Sequence, residues 1–185
     1  MQIDAKVVLR LAEISNNIAF FDIEATGLNC DYNSIVVCSV KPYKKKPVVF
    51  STWRPGDDKA LVRQIKQELE KYPIWCGYYS KMYDVPMIQG RLLRHGIAPL
   101  VKSHHIDLYF QLNANINTSR KSQGHRIGWL GLEENKMFVS ADEWNKFLTY
   151  PKTYGRKLRA RCASDTIGLE QLFERTKSLI VNITR

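Results

Sequence analysis

The fold of this chain is decided by residues 18–28, IAFFDIEATGL, in which four apolar residues lead directly into two carboxylates. Side chains of a β-strand alternate between its two faces, so Asp22 and Glu24 project from the same face. The apolar residues before Asp22 favour a buried strand, where two like charges repel each other unless a cation lies between them. The stretch therefore predicts half of a site for a hard metal ion, and an edge strand with two solvated carboxylates is the alternative.

Two more strands are predicted directly after this stretch. Residues 34–40 and 47–53 are rich in β-branched residues, and a lysine-rich segment at 41–46 separates them. Such a pattern is typical of hairpins, so the first three strands are expected to form an antiparallel meander. The lysines of the connecting segment are candidate contacts for phosphate groups, and a solvated loop is an equally good interpretation: Lys44, Lys45 and Lys46.

The middle of the chain alternates between helical and extended patterns. Helices are predicted at 60–71 and 83–95, and a short apolar strand that ends in a glycine lies between them at 73–77. A further extended segment follows at 101–109. This order predicts an α/β fold with a mixed five-stranded sheet flanked by helices, in which three antiparallel strands precede parallel ones joined by crossover helices.

The last third of the chain is predicted to be mostly helical. Residues 112–122 are polar and predict a surface loop, and residues 150–155 predict a second connection before a long helix at 156–179. The sequence has no internal repeat and no sign of a boundary, so one domain is expected over residues 1–185. Residues 1–16 are expected to add a short accessory helix to it.

Composition indicates a globular protein with a basic surface. Lys and Arg number 28 against 18 Asp and Glu, and the net charge of +10 favours a polyanionic partner over an ordinary basic surface. None of the four cysteines forms a C-x-x-C pair, so neither a structural zinc site nor a disulfide framework is expected. No signal peptide and no apolar run of about 18 residues is present, which predicts no membrane contact and a cytoplasmic location.

Two further carboxylates complete a set with Asp22 and Glu24. Asp84 lies at the predicted start of a helix, and Asp165 lies within the final helix. Residues so far apart in sequence converge only through folding. Because the set contains neither His nor Cys, it suits the hard ions Mg²⁺ and Mn²⁺.

The order and spacing of these carboxylates resemble those of the DEDD superfamily of 3′→5′ exonucleases, which have an RNase H-like fold. Residues 21–28 are similar to the first motif of that family, 77–91 to its second and 161–169 to its third. The resemblance implies an exonuclease that hydrolyses phosphodiester bonds at the 3′ ends of single-stranded DNA or RNA with two Mg²⁺ or Mn²⁺ ions. It leaves open whether the chain acts alone or with a separate polymerase or another replication or repair protein.

The resemblance also implies what each carboxylate would do. Asp22 would bridge the two ions. Glu24 and Asp165 would complete the site of the water-activating ion, and Asp84 would hold the second ion, partly through water. Three other residues would contact the nucleic acid: Thr26 and Leu28 at the terminal nucleotide, and Tyr79 by stacking on a base.

The chain departs from the family pattern just before its last aspartate. Ala160 and Arg161 occupy the positions where the family has a His or a Tyr that orients the attacking water. Arginine stays protonated and cannot act as a base. We expect Arg161 either to pair with Asp165 one helical turn away or to contact the scissile phosphate as a catalytic residue.

The missing water-orienting residue makes two other functions worth weighing. A nucleic-acid-binding domain with little or no turnover is the first, although four retained carboxylates argue against it. A structure-specific endonuclease on the same fold is the second. A tyrosine on the predicted connection before the final helix, Tyr150 or Tyr154, is a candidate substitute base if that connection swings toward the site.

Overall fold

A five-stranded mixed sheet forms the centre of the computed structural model, which describes residues 17–133, 137–180 and 183. The strands are β1 (Ile18–Ala25), β2 (Ile35–Pro42), β3 (Val48–Ser51), β4 (Ile74–Gly77) and β5 (His104–Asp107). They lie in the order β3-β2-β1-β4-β5. The pairs β1–β2 and β2–β3 are antiparallel, and the pairs β1–β4 and β4–β5 are parallel. The predicted fold class is therefore confirmed.

Helices cover both faces of this sheet. Those in the described residues are α1 (Lys59–Leu69), α2 (Asp84–Arg94), α3 (Leu108–Asn115), α4 (Gln123–Trp129), α5 (Ala141–Thr149) and α6 (Pro151–Thr176), and a 3₁₀ turn (Lys177–Leu179) follows. In the part of the chain that the structure describes, no helix is long and apolar enough to cross a membrane. The accessory helix expected within residues 1–16 lies outside the described residues.

β1 is buried on both faces, which explains its unbroken apolar run. Ile18 and Phe20 pack in one cluster with residues of α6, including Phe173. Ala19 and Phe21 pack in a second cluster on the opposite face, with residues of α1 and α2. Because side chains alternate along a strand, the two carboxylates that follow on β1 share the face of Phe20, toward α6.

Two predicted connections are shorter than the sequence indicated. The loop expected at 112–122 begins only after Asn115, because α3 continues to that residue with Leu112 buried beneath it. The connection expected at 150–155 is helical from Pro151 onward. Proline suits the first turn of a helix, where its missing N–H has no partner to lose. Tyr154 is therefore fixed on α6, about 16 Å along the helix axis from Asp165, rather than on a mobile connection.

The hairpin between β2 and β3 is also tighter than expected. Lys41 and Pro42 belong to β2, and the side chain of Lys41 is buried and forms an ion pair with Glu170 of α6. The turn itself starts at Tyr43, which is buried too, and the three lysines that follow it are exposed.

Candidate metal centre

Three carboxylates meet between β1 and α6. Each of Asp22, Glu24 and Asp165 offers an oxygen, and these oxygens all lie within 4.8 Å of one another. β1 supplies the first two from its α6-facing side, and α6 packs across β1 and β2 to bring the third. Glu24 and Asp165 are each only 9% exposed. A small site lined by carboxylate oxygens is the donor set that hard divalent cations prefer.

A fourth carboxylate adjoins this group from the opposite helical layer. Asp84 is the first residue of α2, and its Oδ1 accepts a hydrogen bond from the Ile23 N–H at 3.1 Å. The last β1–β4 pair joins Phe20 to Cys76, so β1 continues beyond the end of its parallel partner. The Asp84 carboxylate thus accepts a strand N–H that β4 no longer reaches, and this bond holds it beside the other three.

The electrostatics of the site favour a bound cation. Burial raises the pKa of Asp22 well above its usual range, and the charges on Asp84, Asp165 and Glu24 raise it further. Burial also raises the pKa of Asp84 to about 7, although the N–H groups that it accepts from oppose the shift. Buried carboxylates that repel each other are stabilised by protons or by a metal ion.

Arg161 already neutralises part of this charge. Its Nε lies 2.8 Å from Glu24 Oε1 and 3.8 Å from Asp165 Oδ2. The ion pair with Asp165 that the helical spacing predicts is therefore present, and Glu24 is a second and closer partner. Contact with a scissile phosphate remains a prediction.

Cys162 is a contact that sequence reasoning missed. Its thiol lies 3.3 Å from the backbone oxygen of Asp22 and 3.5 Å from Asp22 Oδ2. Burial raises the pKa of this thiol, so it stays protonated and donates to both oxygens. The signal available in the sequence was its place three residues before Asp165, on the same side of the helix.

The turn after β1 carries an exposed apolar side chain. Thr26 Oγ1 accepts the Ser34 N–H at 3.1 Å, and Tyr83 Oη donates to the Gly27 carbonyl at 3.0 Å. These bonds fix the turn, while Leu28 beyond it is 80% exposed. Thr26 and Leu28 thus lie in the turn directly after the strand that carries Asp22 and Glu24, and their contact with a terminal nucleotide remains a prediction.

Tyr79 forms an exposed aromatic surface with Phe110. Their ring centroids are 5.9 Å apart with an interplanar angle of 29°, and each side chain is 43% exposed. The backbone of Tyr79 is left-handed, with φ of 61°. Asp107 holds it there, because its carboxylate accepts the N–H groups of Tyr79 at 2.8 Å and Lys81 at 2.9 Å. The sequence did not predict this contribution of Asp107.

The lysine cluster lies at the far end of β1. The Tyr43 N–H donates to the Ile18 carbonyl at 3.0 Å, which places the β2–β3 turn beside the first residue of that strand. Glu24 is six residues further along, or about 20 Å. The structure therefore does not bring Lys44, Lys45 and Lys46 to the carboxylates.

The sheet order, together with carboxylates from β1, α2 and α6 at one end of it, defines an α/β protein of the RNase H-like class. A family model described as RNase_H superfamily matches residues 19–175, so the chain belongs to the RNase H superfamily.

One solved structure with the same fold is the family B DNA polymerase from the hyperthermophilic archaeon Pyrobaculum calidifontis. The TM-score is 0.71 at 17% sequence identity. The match covers 86% of this chain and 24% of the polymerase, so the chain spans about a quarter of the polymerase's length. No curated protein matches the sequence.

Proposed function

We propose that this protein is a metal-dependent 3′→5′ exonuclease that hydrolyses phosphodiester bonds at the 3′ ends of single-stranded nucleic acid. The observation that carries the proposal is the cluster of Asp22, Glu24 and Asp165 with Asp84 beside it. Membership of the RNase H superfamily supports a nuclease. The 3′→5′ polarity rests on the resemblance of the three acidic segments to those of DEDD exonucleases.

The carboxylates fit a pair of Mg²⁺ or Mn²⁺ ions. Asp22 feels the charges of all three other carboxylates, and by the family resemblance it would bridge both ions. Glu24 and Asp165 would complete one ion site, and Asp84 would hold the second ion. Two divalent ions at such a site supply water activation and stabilise the leaving oxygen.

The remaining side chains would bind and orient the strand. Thr26 and Leu28 would contact the terminal nucleotide, and the Tyr79–Phe110 surface would stack on a base. Arg161 would exchange its contact with Glu24 for one with the scissile phosphate, where a fixed positive charge stabilises the transition state. The lysines of the β2–β3 turn would contact only a strand that reaches the far end of β1.

The experiment that tests the proposal uses DNA and RNA strands labelled at either end, with Mg²⁺, Mn²⁺ or EDTA. We expect stepwise loss of nucleotides from the 3′ end with either metal and no cleavage in EDTA. Asp22→Asn should be inactive, whereas Asp57→Asn, which makes the same chemical change at an exposed turn outside the site, should retain full activity.

Each rival function has its own outcome in this experiment. Cleavage of a circular strand would show an endonuclease. Tight binding of DNA and RNA without cleavage would show a nucleic-acid-binding domain. One observation favours that function: Arg161 occupies the position of the usual water-orienting residue and pairs with Glu24.

A further inference from the structure

A groove with a volume of about 530 Å³ lies between the edge strand β3 and the N-terminal half of α6. The metal centre uses none of its residues. The side chains that matter for its chemistry are one aromatic and three cationic ones: Trp53, Lys152, Arg156 and Arg159.

The groove is rich in positive charge. Lys152, Arg156 and Arg159 recur at spacings of four and three residues, so they lie along one side of α6. Among the described residues, none of the three forms an ion pair, and no acidic side chain lines the groove. By contrast, the adjacent Lys157 pairs with Glu143 of α5. Three unpaired cations in a concave surface attract a polyanion.

Trp53 adds an aromatic face to this charge. Its indole packs against α6 at Gly155, where a Cβ atom would come within 2.7 Å of Trp53 Cζ3. The ring remains 39% exposed, and the Arg159 guanidinium carbon lies 5.7 Å from its centroid. Proteins bind single-stranded nucleic acid by this combination, in which cations contact phosphates and an aromatic ring stacks on a base.

The groove is separate from the metal centre. Arg156 precedes Asp165 by nine residues, which is about 14 Å along the helix axis and two and a half turns. The two side chains therefore leave α6 from opposite sides. A strand in the groove is not the segment whose terminal nucleotide reaches the carboxylates.

We propose that this groove is a second binding site for single-stranded nucleic acid, and that it holds a segment several nucleotides away from the 3′ end. The inference rests on the proposed function in that nucleic acid is the substrate. On this inference, the groove increases the affinity for long strands and takes no part in the hydrolysis step. A dinucleotide bound at the carboxylates would not extend to Lys152 and Arg156, which lie 13 and nine residues before Asp165 on α6, or about 20 and 14 Å along the helix axis.

The first test measures binding without catalysis. A fluorescent single strand of about 20 nucleotides is titrated in EDTA over a range of salt concentrations. The Lys152→Ala/Arg156→Ala/Arg159→Ala variant should bind about tenfold more weakly, and its slope of log K against log salt should fall by about 2, at roughly 0.7 per lost phosphate contact.

A matched control removes the same charge elsewhere. Lys59→Ala/Arg63→Ala/Lys102→Ala loses three exposed cations outside the groove and should change the affinity much less. Equal losses in the two variants would overturn the inference, because they would show an effect of net charge alone. No loss in the groove variant would overturn it too, and would favour an acidic protein segment as the occupant.

A second variant blocks the groove without removing a contact. Residue 160 is exposed and lies four residues after Arg156, so Ala160→Glu places a carboxylate beside that guanidinium. The melting temperature should stay the same while the affinity for the long strand falls severalfold. Unchanged affinity would contradict the inference.

Kinetics separate this inference from the proposed function. In the groove variant, KM for the long strand should rise about tenfold, while kcat/KM for a dinucleotide stays at the wild-type value. Wild-type protein that binds through the groove but hydrolyses nothing would contradict the proposed function alone. Hydrolysis with the same KM for long strands in both proteins would contradict the groove alone.

Discussion

At Asp22, the proposed metal binding and the stability of the fold make opposite demands on one side chain. Burial and three neighbouring carboxylates raise the pKa of this side chain, so its ionised form lowers the free energy of unfolding when no cation is bound. We expect Asp22→Asn to abolish hydrolysis and to raise the metal-free melting temperature by a few degrees at about pH 8. Thermal melts with and without Mn²⁺ check this, because Mn²⁺ should stabilise only the wild-type protein. Retained turnover would remove Asp22 from the centre.

Arg161 has the opposite effect on stability. Its guanidinium neutralises Glu24 and Asp165, so Arg161→Gln leaves two nearly buried carboxylates without it. The metal-free variant should melt several degrees lower, and Mg²⁺ should restore most of the loss. If Arg161 also contacts the phosphate, kcat should fall by about tenfold to a thousandfold with saturating metal. If Arg161→Gln has the wild-type kcat at saturating metal, the role of Arg161 is confined to its ion pairs with Glu24 and Asp165.

His105 makes stability depend on pH. Burial lowers the pKa of His105 from 6.5 to about 3, and the positive charge of Lys81 contributes to this decrease. The folded protein therefore keeps this imidazole neutral while the unfolded chain protonates it. The free energy of unfolding consequently decreases as pH falls from about 6.5 to about 3. His105→Gln can keep a hydrogen bond to Ser80 and does not titrate. Urea denaturation at several pH values should show a shallower acid loss for the variant; parallel curves would contradict the shift.

The sequence predicted the carboxylates better than their neighbours. Strand alternation alone places Asp22 and Glu24 on one face, whereas the prediction that Asp84 and Asp165 join them rested on the resemblance to DEDD exonucleases. Cys162 and Asp107 escaped prediction because their contacts depend on which backbone atoms the folded chain brings close. No local pattern marks a thiol that donates to a strand carbonyl, or a carboxylate that holds a left-handed residue.

At the scale of the elements, α6 depends on a glycine near its start. A Cβ atom at Gly155 would lie 2.7 Å from Trp53 and 3.4 Å from Phe147. We expect Gly155→Ala to lower the free energy of unfolding by about 1–3 kcal/mol, because the ring must move.

Gly128 in α4 is the matched control, since a Cβ atom there would meet nothing within 4 Å. Gly128→Ala should raise the free energy of unfolding by up to about 1 kcal/mol through helix propensity. Chemical denaturation measures both variants. A stabilising Gly155→Ala would contradict the packing of Trp53 on α6.

Element boundaries were harder to predict than element types. Polar residues made 112–115 resemble a loop, but Leu112 packs into the core and keeps α3 helical. Tyr150 to Gly155 resembled a turn because proline and glycine are frequent in turns. In the fold, Pro151 begins α6, and Gly155 makes room for the ring of Trp53, which follows β3. Neither role can be recognised before the tertiary contacts are known.

At the scale of the whole molecule, the backbone amides of the sheet are most shielded from solvent in the central strands and least shielded at the β3 edge. β1 is paired on both edges and buried on both faces, whereas β3 is a short edge strand. Hydrogen exchange should be slowest in β1 and β2 and much faster in β3. The Ile23 amide is an internal check, because Asp84→Ala should accelerate its exchange while leaving that of Phe20 unchanged. Equal acceleration at both amides would indicate general loosening of β1.

The distance along the chain between the carboxylates has a consequence for protein synthesis. Asp165 follows Glu24 by 141 residues (165 − 24), and the centre forms only when α6 packs across the sheet. A ribosome that has translated β1 through α5 has therefore produced all five strands of the sheet but no complete ligand set. On the proposed function, the growing polypeptide cannot hydrolyse nucleic acid at this stage, and activity begins only after α6 has left the ribosome and docked on the sheet.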